Sequence, residues 1–362
     1  MRRFIELLVF AFALPACLSE AEERARRDLE VGKTRAAGVR FEVDQGLATV
    51  RSVRPGELVL WGSAPAFDVE LSAESDAVRS WTISIQNVLG DSALSALEGA
   101  LVSSEPDPDG IETRRRFRVE LTSDRARLRL APPDTENPDT FRFAVLSDIQ
   151  EAIDGLPDIH RKLNAVENLR FLLGAGDLTQ RGRRDELERY QDELKSLRVP
   201  YFTTLGNHEL GATPELFHDY FGRGNFRFVF RGVQFTLLDS ASATLDETVY
   251  EWLDGWLGEG QNRVHIVLMH IPPIDPIGVR NGSFASRNEA AKLLGRLARG
   301  NVDLTLYGHI HSYYDFENAG IPAYISGGGG AVPERFDQIG RHFLVVDVDQ
   351  RGVSRVEVVR VD

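Results

Sequence analysis

Phe141-Arg142-Phe143-Ala144-Val145-Leu146-Ser147-Asp148-Ile149-Gln150 is an apolar run that closes on a polar motif, and four later stretches repeat the pattern. Phe171 to Leu173 leads to Gly176-Asp177-Leu178-Thr179, and Tyr201 to Leu205 leads to Gly206-Asn207-His208-Glu209. Val264 to Leu268 leads to Met269-His270, and Val302 to Tyr307 leads to Gly308-His309-Ile310-His311. Parallel strands buried on both faces read as nearly continuous apolar runs. In open α/β sheets, ligands gather beyond the carboxyl ends of such strands. The pattern predicts an α/β fold whose five strands carry carboxylates, an amide and imidazoles to one edge of one sheet. That mixture of side chains predicts a metal site.

The order and spelling of these motifs resemble the calcineurin-like metallophosphoesterase superfamily, whose pattern runs D-x-H, G-D, G-N-H-[D/E], H, G-H-x-H. The likeness spans roughly Phe141 to Asp349, and four of the eight histidines fall on motif positions. The resemblance implies a sandwich of two sheets flanked by helices, and hydrolysis of phosphate esters at two divalent ions. Two ions about 3.5–4 Å apart neutralise an anionic ester and activate water at neutral pH. Carried over position by position, Asp177 bridges the ions. Asp148, Asp177 and His311 hold the first, with Gln150 as a weak addition, and Asp177, Asn207, His270 and His309 hold the second. His208 binds no metal in this scheme. It contacts the substrate and helps the leaving oxygen depart as a general acid. With no cysteine near the motifs, a His/Asp/Asn set suits manganese, iron or zinc without choosing among them.

Two positions depart from the family. Gln150 stands where a His is usual, which replaces an imidazole with at best a weaker amide oxygen. Gly176-Asp177-Leu178-Thr179-Gln180-Arg181-Gly182 looks like the G-D-x-x-D-R-G of the protein Ser/Thr phosphatases, with Gln180 in place of their second Asp. The Tyr ligand that purple acid phosphatases place at that spacing is also missing. Arg181 is a candidate phosphate contact. In the long loop after His270, Arg280 and Asn281 are candidates for a phosphate or sugar, and Phe284 for stacking on a base. Ser326 and the Gly327–Gly330 run are expected close to the metal edge.

At the other end, Arg2 and Arg3 precede an apolar stretch from Leu7 to Ala16 that runs into Leu14-Pro15-Ala16-Cys17. A positive start and an apolar core too short to span a bilayer describe an export signal. Leu-x-Ala-Cys resembles the bacterial lipobox, which implies lipidation of Cys17, the single cysteine of the chain. The expected location is the bacterial cell envelope, with the membrane reached through that anchor. Cleavage a few residues later, to a soluble exported protein, is the alternative.

The 362 residues suggest about two domains. A formal charge of −13 argues against nucleic-acid backbones as partners, since such affinity rests on Lys and Arg. It leaves a small phosphorylated substrate open, because bound metals would supply local positive charge. Residues 1–17 read as signal and lipobox, and 18–38 as a charged tether, in part helical. Short period-two runs between 39 and 131, such as Phe67-Asp68-Val69-Glu70-Leu71 and Trp81-Thr82-Ile83-Ser84-Ile85, predict a small β-sandwich of immunoglobulin or fibronectin type that spaces or orients the catalytic domain. Residues 132–140 read as a linker and 141–362 as that catalytic domain. There Ile159, Leu163 and Val166, and Leu187, Tyr190, Leu194 and Leu197, recur at helical spacing. Ser286 and Glu289 predict a capping box opening a helix that ends near Gly300. A rival function is a non-catalytic or single-metal envelope protein that binds a partner through its β-module. Retention of His208 and of the whole second ligand set favours the enzyme. Monoester and diester substrates are both compatible with the motifs.

Overall fold

The computed structural model describes residues 20–211, 213, 215–278, 282–333 and 338–362, so Cys17, Arg280 and Asn281 lie outside the described residues. All five apolar runs form strands: Phe141–Leu146, Leu169–Gly174, Tyr201–Thr203, His265–Met269 and Leu304–Tyr307. Contrary to the expectation from sequence, they do not share one sheet. The first three join His342–Asp349 and Gly352–Arg360 in a five-stranded sheet. The other two belong to a six-stranded sheet with Phe226–Phe230, Val233–Leu238, Ile321–Ser326 and Tyr313–Asn318.

Aromatic rings fill the space between these two sheets. Phe143 meets Phe235 edge-on at 5.2 Å, and Phe171 does the same with Phe228 at 5.7 Å. Such pairs add roughly 0.5–1.5 kcal/mol each beyond the area they bury. Among the described residues the helices are α1 (Glu20–Asp28), α2 (Leu156–Leu163), α3 (Arg184–Leu194), α4 (Leu216–Phe221), α5 (Glu247–Gly260) and α6 (Arg287–Arg299). Ile159, Leu187, Tyr190 and Phe217 of α2 to α4 pack with Leu146 and Leu172 on the outer face of the first sheet. Leu253 and Leu257 of α5 and Leu293 and Leu297 of α6 pack with Val267 and Met269 on the outer face of the second. The result is an α/β sandwich of two sheets with helices outside.

The α6 N-cap forms only half of the expected box. Ser286 Oγ accepts from the Glu289 N–H at 3.3 Å, but the Glu289 carboxylate reaches forward to the Leu245 N–H, the Thr244 hydroxyl and Tyr250 Oη. It ties α6 to the start of α5 instead of closing its own turn.

Ahead of this sandwich lie two further five-stranded sheets. Lys33–Ala36, Val39–Val43, Phe67–Ala73, Arg125–Ala131 and Ala93–Glu98 make one; Ala48–Arg54, Glu57–Gly62, Ser80–Gln86, Arg114–Leu121 and Ala100–Glu105 make the other. Phe41 meets Trp81 edge-on at 4.7 Å between them, and their apolar interior is continuous with the Phe-rich core between the two sheets of the sandwich. The connecting stretch is pinned, because Asp134 accepts from both Arg170 and Arg231.

The stretch expected to be a tether is folded onto the body instead. Ala21, Arg24, Ala25 and Asp28 form the buried face of α1, and Lys33–Ala36 is an edge strand. Two alanines and two charges make a buried face with no large apolar side chain, which in the sequence reads as solvated; the buried charges persist because each is paired. No helix among the described residues is long and apolar enough to cross a membrane.

Candidate metal centre

The turns that leave the strands are sharp. Asp148, Gln150, Asp177 and His309 all take left-handed backbone, with φ of 61°, 50°, 53° and 71°. That conformation costs non-glycine residues on the order of 1–3 kcal/mol and gathers where geometry serves a site. Gly206 permits the closest approach: a Cβ there would lie 2.1 Å from Asp177 Oδ1.

The predicted ligands converge in two groups that share one carboxylate. Asp177, His270 and His309 offer ligand atoms within 4.8 Å of one another, and so do Asp148, Asp177 and His311. In the first group, His270 Nε2 lies 3.3 Å from Asp177 Oδ1, 3.1 Å from Asn207 Oδ1 and 3.3 Å from His309 Nδ1. In the second, His311 Nε2 lies 3.4 Å from Asp148 Oδ1. Gln150 reaches the same spot, its Nε2 2.9 Å from Asp177 Oδ2 and 3.2 Å from His311 Nε2.

These donors fit divalent cations. His270 Nδ1 sits 2.7 Å from the Ala175 carbonyl and His311 Nδ1 2.7 Å from the Val332 carbonyl. Each carbonyl takes the Nδ1 proton and turns the Nε2 lone pair inward, the usual support of a metal-binding histidine. Lone pairs of two imidazoles, an amide and carboxylates thus face one small volume. The electrostatics agree. Burial would drive the His270 imidazole down, yet the Asp177 carboxylate overrides it and holds that group up at about 9. Burial would raise the Asp177 carboxyl, and His270 and His208 instead hold it well below the carboxylate range. A proton or a metal ion answers the same negative field.

Glu209 is the functional residue that motif reading passed over. It is 1 % exposed, and its carboxylate accepts from the Asp177 N–H (2.9 Å), the Gly206 N–H (2.9 Å), the Thr179 N–H (3.0 Å) and Thr179 Oγ1 (3.1 Å). It therefore clamps the loop carrying Asp177 to the loop carrying Asn207. The only advance signal was its place in the G-N-H-E motif. His208 donates its backbone N–H to Asp177 Oδ1 at 2.9 Å, its Nδ1 lies 2.8 Å from the Gln180 carbonyl, and its Nε2 lies 3.9 Å from Asp177 Oδ2.

The remaining candidates divide. Arg181 is exposed, with its backbone N–H bonded to Glu186. Phe284 is 3 % exposed and packed in the core with Ile271 and Ile310, so it is not presented to a base; its apolar bulk is better accommodated inside. The glycine run does close on the site: Gly329 N–H donates to the Ser147 carbonyl at 2.8 Å, and Ser147 Oγ to the Ser326 carbonyl at 2.9 Å.

The two-sheet sandwich is of metallophosphoesterase type, and its shared ligand groups could hold metal ions. Residues 141–313 match the calcineurin-like phosphoesterase family model. Among curated proteins it is similar to a 3',5'-cyclic-nucleotide phosphodiesterase of Nostoc sp., 26% identical over 166 residues, which cover 42% of this chain and 61% of that protein. It is also similar to a Synechococcus sp. protein named "Probable cyclic nucleotide phosphodiesterase", 28% identical over 209 residues, covering 54% of this chain and 79% of the relative. Among solved structures, a purple acid phosphatase from yellow lupin superposes with a TM-score of 0.55 at 14% identity, covering 83% of this chain and 71% of the other. That coverage is more than residues 141–362 alone could supply, so the likeness of fold reaches into the N-terminal β-sheets.

Proposed function

We propose that this chain is a dinuclear phosphoesterase that hydrolyses small phosphodiesters, with cyclic nucleotides the first class to test. The sharing of Asp177 by two ligand groups carries the reading. Asp148, Asp177, His311 and Gln150 would hold one ion, and Asp177, Asn207, His270 and His309 the other. When bound, manganese, iron or zinc would neutralise the ester and supply an activated water. The chain's own residues do the rest. The Ala175 and Val332 carbonyls fix the imidazoles, and Glu209 fixes the Asp177 turn. His208, its Nδ1 engaged by Gln180, presents Nε2 as the atom that hands a proton to the departing ester oxygen. Arg181, Arg280 and Asn281 are the candidate contacts to the substrate. The test is hydrolysis of aryl phosphate mono- and diesters and of cyclic nucleotides by purified protein with each metal added. Asp177→Asn should abolish metal binding and turnover together. Turnover that survives this change, or that needs no metal, would refute the proposal.

Residues 39–131 form, on this reading, a β-module that orients the catalytic residues 141–362, joined through 132–140. Arg2, Arg3, the short apolar run and Cys17 support export and lipid attachment in a bacterial envelope. Cys17→Ser should move the protein from membrane to soluble fractions with its activity intact, and a wild-type protein found wholly soluble after export would defeat this part.

A further inference from the structure

The charged segment ahead of the β-sheets reaches the metal edge. Arg24 and Asp28 are 2 % and 0 % exposed on one face of α1. Arg24 Nε donates to Asp239 Oδ2 at 2.5 Å, and its Nη2 donates to Asp239 Oδ1 at 3.2 Å and Ser242 Oγ at 3.1 Å. Asp28 accepts from the N–H groups of Gly224 (2.8 Å) and Asn225 (3.0 Å) and from Asn225 Nδ2 (2.9 Å), and lies 3.1 Å from His218 Nε2.

From these two charges the contacts continue to two ligands. The Gly224 carbonyl accepts from Thr204 Oγ1 at 2.8 Å, on the short stretch leading to Asn207. Gly224 is also wedged between Leu205 and Asp239, where a Cβ would come within 2.5 Å of the Leu205 side chain and 3.2 Å of Asp239 Cβ. Asn225 Oδ1 accepts from the Asp239 N–H at 2.9 Å. Beside Asp239, Ser240 Oγ accepts from the Ile271 N–H at 2.8 Å and lies 3.1 Å from the Ile271 carbonyl, directly after His270.

On the reading that Asn207 and His270 hold a divalent ion, we infer that α1 is a strut for that ligand group. Arg24 and Asp28 are positioning residues. Arg24 acts through Asp239 and Ser240 on His270, and Asp28 acts through Gly224 and Thr204 on Asn207. Both routes end in the group that holds one ion, whereas Asp148, Gln150 and His311 serve the other, so the two ions should respond unequally to the loss of the strut. Arg24 suits the task because its planar fork meets a carboxylate with two parallel bonds, which a lysine cannot do.

The experiment titrates purified protein with Mn²⁺ by calorimetry and with Co²⁺ by visible absorption, recording Tm alongside. It compares wild type, Arg24→Met, Arg24→Lys, Asp28→Asn, and Val69→Ala in the N-terminal core as a control for plain destabilisation. Arg24→Met and Asp28→Asn should weaken one of two binding steps by about tenfold or more, the usual effect of removing an outer support, and leave the other unchanged. Arg24→Lys should fall between, and Val69→Ala should lower Tm without changing either step. If Arg24→Met does not fold, Arg24→Met/Asp239→Asn leaves no unpaired buried charge and is read in the same way. Variants that lose Tm yet bind both ions as wild type does would overturn the inference. Wild type that binds no ion would overturn the dinuclear reading itself.

Discussion

Glu209→Gln is the sharpest probe of how the metal edge is held. Burial, and then Asp177, push the Glu209 carboxyl up to about 8, while all four groups that face it arrive as donors. Of these only Thr179 Oγ1 can turn to accept, so the geometry accommodates the ionised form. Glutamine supplies one oxygen, which can serve either the Asp177 and Gly206 pair or the Thr179 pair. In the better arrangement its NH₂ meets Thr179, where the hydroxyl turns and the N–H is left bare. One orphaned N–H costs about 1–3 kcal/mol, and the lost charge-assisted bonds add a comparable amount, so about 2–6 kcal/mol is expected in all. For a domain of this size that is a fall in Tm on the order of 5–20 °C. Because the clamp sets the turn of the shared Asp177, both ions of the proposed dinuclear site should bind about 10–100-fold more weakly. Calorimetric Mn²⁺ titration and a melting curve of the same sample decide the matter. Unchanged affinity for both ions with Tm within a degree or two of wild type would refute the clamp; loss at one step alone would refute its reach across both groups.

Gln150→Ala should cost far less metal affinity than His311→Ala, because the Gln150 amide must first turn from its bond to Asp177 before its oxygen can bind; Gln150→His should raise affinity at that group, and titration with Mn²⁺ ranks the three. If His208 is the acid proposed above, His208→Ala should keep the metal content of wild type and slow kcat by about 10²–10⁴, the usual worth of a positioned acid, as measured at saturating metal. Burial holds His160 and His265 at about 4, below the ordinary 6.5. The unfolded chain therefore takes up their protons first, and stability is lost as pH falls from 6.5 towards 4. By pH 4.5 the loss should be about 2–3 kcal/mol for each. Urea unfolding at pH 7 and 4.5 measures it, and His265→Gln should flatten the slope.

The metal edge was legible because each ligand stands just beyond a buried strand, where an apolar run must stop on polar residues. The partition of those strands was not, since it depends on pairings such as Val145 with Leu344 that no local pattern encodes. Ala93–Glu98 and Ala100–Glu105 are edge strands exposed along most of their length, so they show little alternation to read. Gly255 and Gly258 lower the helix propensity of α5 and masked it, although Tyr250, Leu253 and Leu257 keep the spacing. Arg24 and Asp28 look like solvated charges in the sequence because burial of a paired charge leaves no trace in composition. Phe284 shows the converse error, an aromatic in a loop that turns inward.

The docking of α1 also fixes a length. Were the stretch 18–38 free, a lipid at Cys17 would hold the enzyme on a leash that, fully extended, could let it roam some ~70 Å from the bilayer. Because Glu20 is the first residue of a docked helix, a lipid proposed at Cys17 would be three residues from the folded body, a reach of about 10 Å at full extension. A protein so attached would work as a fixture: one face would always meet the lipid headgroups, and its substrates would have to diffuse to the membrane, since the enzyme could not swing out to meet them.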